Sequence, residues 1–92
     1  MAKQKIDYRE GVRIVDALSW FGKVQLTRLL ENIYKEGWVS CPDTYLLSKL
    51  DKKVEELKEV VCSGNHPEII RKCADVANYG LIIADKYKQS GG

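Results

Sequence analysis

Apolar residues recur at steps of three and four along three stretches of this chain, and nowhere do they alternate with period two. In the first stretch Val15, Leu18, Gly22, Leu26, Leu29 and Ile33 fall on one helix face. Asp7-x-x-Glu10 reads as a capping box that opens it, and Gly37 closes it. Gly22 is a point of kink or division, since glycine inside a helix costs about 1 kcal/mol relative to alanine. A short connection, Trp38 to Pro42, leads to a second helix with the seam Leu47, Leu50, Val54, Leu57 and Val61. Ser63-Gly64-Asn65 forms the next turn, with Asn65 as the N-cap of a third helix. Both prolines, Pro42 and Pro67, stand where a helix should begin. The pattern predicts helices over 8–36, 43–62 and 66–88, no sheet, and a mobile tail after Lys88. The fold expected is a single all-α domain over residues 1–92, a three- or four-helix antiparallel bundle.

The third helix is unusually apolar. Ile69, Cys73, Val76, Gly80, Ile83 and Tyr87 share one face, which Ile70, Ala77, Leu81 and Ala84 widen. Tyr79 and Ile82 add apolar mass on the opposite side, beside Asp75. Two short neighbours do not easily cover such a helix, so the pattern predicts a symmetric oligomer that buries much of it.

Composition narrows the function. Fifteen Lys and Arg face thirteen Asp and Glu, a net charge of +2, with no basic half of the kind a nucleic-acid binder carries. That weighs against a helix-turn-helix reading of residues 23–50. No apolar run is long enough to span a membrane or to read as a signal peptide. Three cysteines (Cys41, Cys62 and Cys73) with no C-x-x-C pair argue against a disulfide framework and for a reducing cytoplasm. Cys62 and Cys73 read as small core residues, Cys41 as a loop or interface residue, and Trp20 and Phe21 as packed in the bundle. His66, the one histidine, follows the N-cap and is expected on the surface; a single histidine supports no His-based metal site.

The cluster with chemical potential is Glu55-Glu56-Leu57-Lys58-Glu59 on the second helix, with Asp75 on the third. Glu56 and Glu59, three apart, are neighbours on one face and repel by a few tenths of a kcal/mol unless a cation joins them. Mg²⁺ is a hard ion held by a few carboxylates plus phosphate oxygens. Asp75 stands in the most apolar helix, where an ionised carboxylate must be paired or metal-bound. Pairing with Lys72, one turn earlier, is the competing structural explanation.

Glu55-Glu56-x-x-Glu59, twelve residues, then Lys72-Cys-Ala-Asp75 resembles the all-α nucleoside triphosphate pyrophosphohydrolase superfamily, and its MazG-like members in particular. The shared pattern there is E-E-x-x-E, an interval, then E-x-x-D. Lys53–Glu59 and Cys73–Tyr79 are the segments that match, and the likeness extends over residues 38–88. The resemblance implies a MazG-like fold completed by oligomerisation, as a homodimer or homotetramer. It implies Mg²⁺ on Glu56, Glu59 and Asp75, with Glu55 in support and a spare glutamate as general base. It also implies hydrolysis of a nucleoside triphosphate to the monophosphate and pyrophosphate. Tyr79 and Asn78 fall where relatives contact substrate, and Trp38 is a candidate for stacking on the base. Lys72 departs from the pattern, standing where the family has Glu. A lysine cannot ligate Mg²⁺, so Lys72 either touches substrate phosphate or marks a catalytically silent relative that serves as a nucleotide-binding or interaction module.

Overall fold

A computed structural model describes residues 7–31, 38 and 40–90. They form three helices in chain order: α1 (Tyr8–Glu31), α2 (Asp43–Ser63) and α3 (His66–Ser90). Among the described residues there is no strand, and no helix is long and apolar enough to cross a membrane. The expected end of the first helix, including Ile33 and Gly37, lies outside the described residues. Gly22 does not divide α1, which runs as one element through it.

Local chemistry accounts for the boundaries. Gly11 N donates to Asp7 O at 2.9 Å, the first turn of α1. Pro42 precedes α2 in the extended region, where its fixed φ of −63° suits a helix start, and Leu46 N donates to its carbonyl at 3.1 Å. Gly64 ends α2 with φ of 73°, a left-handed position that glycine occupies without a Cβ penalty, and its N–H returns to Val61 O. Asn65 then caps α3 as expected, its Oδ1 accepting from Glu68 N at 3.3 Å. Gln89 and Ser90, expected in a mobile tail, continue α3.

The turn at Gly64-Asn65 folds α2 and α3 into an antiparallel hairpin. α3 packs against both other helices, whereas no Cα of α1 comes within 8 Å of one in α2. The side of α3 that carries Ala74, Asp75, Asn78, Tyr79 and Ile82 is therefore the buried one. Leu46, Tyr79 and Ile82 form the core, with Leu29, Trp38, Cys41, Leu50 and Ile83 against it. The open end of the hairpin is clasped by polar contacts. Lys86 Nζ donates to Cys41 O at 2.7 Å and also reaches Asp43, whose carboxylate accepts from Tyr87 as well.

Three expectations about burial change. The buried leucine of α2 is Leu46, not Leu47, and Val61 at the other end of the expected seam is also exposed. Leu50, Val54 and Leu57 of the expected seam are half-buried, while at its two ends Leu46 and Val60 take the inward places. The wide apolar face of α3 is partly open, at Leu81 and Tyr87, because the opposite face takes the packing. Cys62 is exposed, and Trp20 is about half exposed.

This register makes a direct stability prediction. Leu46→Ala and Ile82→Ala should each cost about 2–5 kcal/mol in urea unfolding. Leu47→Ala and Leu81→Ala should each cost less than about 1 kcal/mol; the reverse ranking would place the wrong face inward.

Candidate functional site

The polar cluster at the middle of the fold is built from two i,i+3 pairs on neighbouring helices and one arginine from α1. On α3, Lys72 and Asp75 lie one turn apart, and Asp75 is only 6% exposed. On α2 the pair turned toward them is Lys53 and Glu56, one turn before the expected Glu56 and Glu59. Glu55 and Glu59 are both exposed, and Glu55 pairs along its own helix with Lys58 at 3.1 Å.

Asp75 is not paired with Lys72. Arg28 reaches across from α1 and grips it with two bonds, Nε to Oδ1 at 2.8 Å and Nη2 to Oδ2 at 2.9 Å. Its third nitrogen, Nη1, donates to Glu31 at 2.9 Å. A bidentate fork of this kind is among the strongest charge-assisted contacts available to a protein. The Asp75 carboxylate accordingly drives the Arg28 guanidinium well above its ordinary value. One turn further along α3, Asn78 and Gln25 bond reciprocally: Gln25 Nε2 donates to Asn78 Oδ1 at 3.0 Å, and Asn78 Nδ2 donates to Gln25 O at 3.1 Å. These contacts dock the C-terminal part of α1 on the middle of α3.

Glu56 is held by two lysines. Lys72 Nζ donates to its Oε1 at 3.0 Å across the helix pair, and Lys53 Nζ to the same oxygen at 3.4 Å along α2. All three side chains are partly buried, and Lys72 above all draws the Glu56 carboxyl below the usual glutamate range, with Lys53 adding to it. A cavity of about 90 Å³ opens beside the cluster, lined by Arg28, Leu29, Lys53, Asp75, Asn78 and Tyr79 among others.

No family model matches the chain, and neither the curated proteins nor the solved structures include a significant match. The site must be judged on its own geometry.

Of the residues singled out in the sequence, Glu56, Lys72 and Asp75 meet at this cluster, and Asn78 and Tyr79 border it. Trp38 does not face it: its ring packs on the core and its Nε1 donates to Asp85 Oδ2 at 2.8 Å. Among the described residues no group of three or more His, Cys, Asp or Glu side chains is placed to hold a metal ion. The donor chemistry here does not fit Mg²⁺. Both oxygens of Asp75 accept from Arg28, Oε1 of Glu56 accepts from two lysines, and cations stand at the other two corners.

Arg28, Gln25 and Lys53 were missed by sequence reasoning. Arg28 had one available signal, a charge among Leu26, Leu29 and Leu30 on a helix otherwise expected to bury that side. Lys53 had another, a basic residue three before Glu56 and between Leu50 and Leu57.

Two predictions follow from the ion pairs. Arg28→Met should destabilise the fold by about 3–5 kcal/mol, because it leaves a buried carboxylate unpaired, whereas Arg28→Met with Asp75→Leu should recover most of that loss in urea unfolding. The Glu56 carboxyl is lowered on folding, so its contribution is complete above the ordinary glutamate pKa, about 4.3, and is lost as pH falls through the lower folded value. Lys72→Met should thus be less stable than the unaltered chain near neutrality, by about 1 kcal/mol, with the gap closing as pH falls below the glutamate range.

Proposed function

We propose that this chain is a MazG-like helical domain that acts as an oligomeric interaction module and not as a metal-dependent hydrolase. The observation that carries this reading is the filling of the cluster by the chain's own cations: Lys53 and Lys72 on Glu56, Arg28 on Asp75. With Glu31, which Arg28 also contacts, three cations meet three carboxylates, so the locus is neutralised internally before any ion arrives. A divalent cation would have to displace Lys53 and Lys72 from Glu56 to reach that carboxylate. It would also have to displace a bidentate arginine to reach Asp75.

The geometry bears on the resemblance in a second way. Of the E-E-x-x-E motif only Glu56 reaches the cluster; Glu59 is exposed, and the second side chain that α2 brings there is Lys53, which lies outside the motif. This supports the silent relative over the hydrolase, in which Mg²⁺ would serve conversion of a nucleoside triphosphate to a monophosphate and pyrophosphate.

Pyrophosphate release from a panel of ribo- and deoxyribonucleoside triphosphates, with and without Mg²⁺, tests the choice. The expected result is no release above background and no heat of Mg²⁺ binding in calorimetric titration. Lys53→Glu with Lys72→Glu should bring Mg²⁺ binding from undetectable into the measurable range. Mg²⁺-dependent release by the unaltered chain overturns the proposal.

A further inference from the structure

The ion pairs of the central cluster divide unevenly between its two halves. On the α1 side Arg28 meets two carboxylates, Asp75 and Glu31. On the α2 side one carboxylate, Glu56, meets two ammonium groups, those of Lys53 and Lys72. The sum is neutral, yet the first half has a negative charge to spare and the second a positive one. Lys72 is the closer partner of Glu56, at 3.0 Å against 3.4 Å, so the surplus positive charge belongs to Lys53. The Lys53 ammonium has three hydrogens, and only one reaches an acceptor among the described residues.

Lys53 lines the cavity of about 90 Å³ beside the cluster, and so does Asn78, which is 4% exposed. Asn78 Nδ2 carries two hydrogens and gives one to Gln25 O. The second has no acceptor among the described residues, and a buried amide hydrogen needs one. Asp75, also in the wall, presents no bare charge, because Arg28 takes up both of its oxygens. Leu29, Tyr79 and Ile82 supply the apolar part of the lining. The wall thus combines one underused cation, one spare amide donor and an apolar surface. The space is small. A cavity of about 150 Å³ admits benzene, with its six non-hydrogen atoms, so this one has room for about four.

We infer that this cavity is a binding site for a short monocarboxylate, with acetate the size that fits. The carboxylate takes the charge of Lys53 and the spare hydrogen of Asn78, and the methyl group lies against the apolar side chains. Phosphate and sulfate match the wall less well, since either sets oxygens on every side against Leu29, Tyr79 and Ile82. The site needs neither Mg²⁺ nor a nucleotide, so it stands apart from the proposed interaction role and from the hydrolase alternative.

Acetate titrated into the full chain near pH 7, replacing chloride at constant ionic strength and followed in ¹⁵N–¹H correlation spectra, reads the outcome. The expected result is a saturable shift of the Leu29, Asn78 and Ile82 amide signals. The dissociation constant should be on the order of 1–10 mM, inside the ceiling for a ligand of about four atoms. Acetamide, neutral and of the same shape, should bind about tenfold more weakly, and Lys53→Met should weaken acetate about tenfold. Glu56→Gln, which removes the competing carboxylate, should strengthen acetate about threefold. Circular dichroism shows whether each variant keeps its helices; if Lys53→Met does not fold, the acetate–acetamide ratio on the unaltered chain and Glu56→Gln decide. No saturable shift at concentrations well above that constant means that the cavity holds water alone, and overturns the inference. Acetamide binding as tightly as acetate overturns it too, as does an affinity that Lys53→Met leaves unchanged or that Glu56→Gln fails to raise.

Discussion

The Arg28–Asp75 fork is the constraint from which the arrangement follows. Asp75 sits in the middle of the helix that packs against both others, and its charge cannot stay dry and unpaired. Arg28 answers it from α1 with matched geometry, and Gln25 and Asn78 extend the contact by one turn. That pairing anchors α1 on α3, decides which side of α1 faces inward, and occupies the carboxylate that the family resemblance would assign to a metal. One interaction thus bears on both the packing of α1 and the state of the Asp75 carboxylate.

The second polar group at the cluster, Glu56 with its two lysines, has the opposite character. It lies nearer solvent and its partners come from α2 and α3, already joined as a hairpin. Its effect is to balance charge locally rather than to position a helix. The two groups together turn four i,i+3 positions, which on paper invite a divalent ion, into a set of internal ion pairs.

Helix limits were legible in the sequence because the signals are local. Asn65 caps α3, Gly64 ends α2, and Pro42 precedes it, each acting within one turn. The inward register of α2 was not legible, because Leu46 and Leu47 are chemically equal neighbours and only the approach of α3 separates them. Asp75 could be recognised as a residue needing a partner, since a charge in an apolar helix states its own problem. Its partner could not: Lys72 is three residues away and Arg28 is 47, and periodicity contains no term for contacts of that separation. The apolar breadth of α3 points to an outside partner, and its wide face stays partly open at Leu81 and Tyr87 while α1 and α2 pack on its other side.

The two-ended closure of the α2–α3 hairpin bears on how the chain folds. Its short turn is held by Gly64 and Asn65, and its far end by Lys86 and Tyr87 on Asp43, so both ends are sealed without α1. Contacts within it span little sequence at the turn, which favours early formation. α1 joins afterwards, through contacts between residues 47 to 53 positions apart in sequence. The amide protons of α1 belong accordingly to a separate cooperative unit, one that opens and exchanges at lower free energy while the hairpin stays closed.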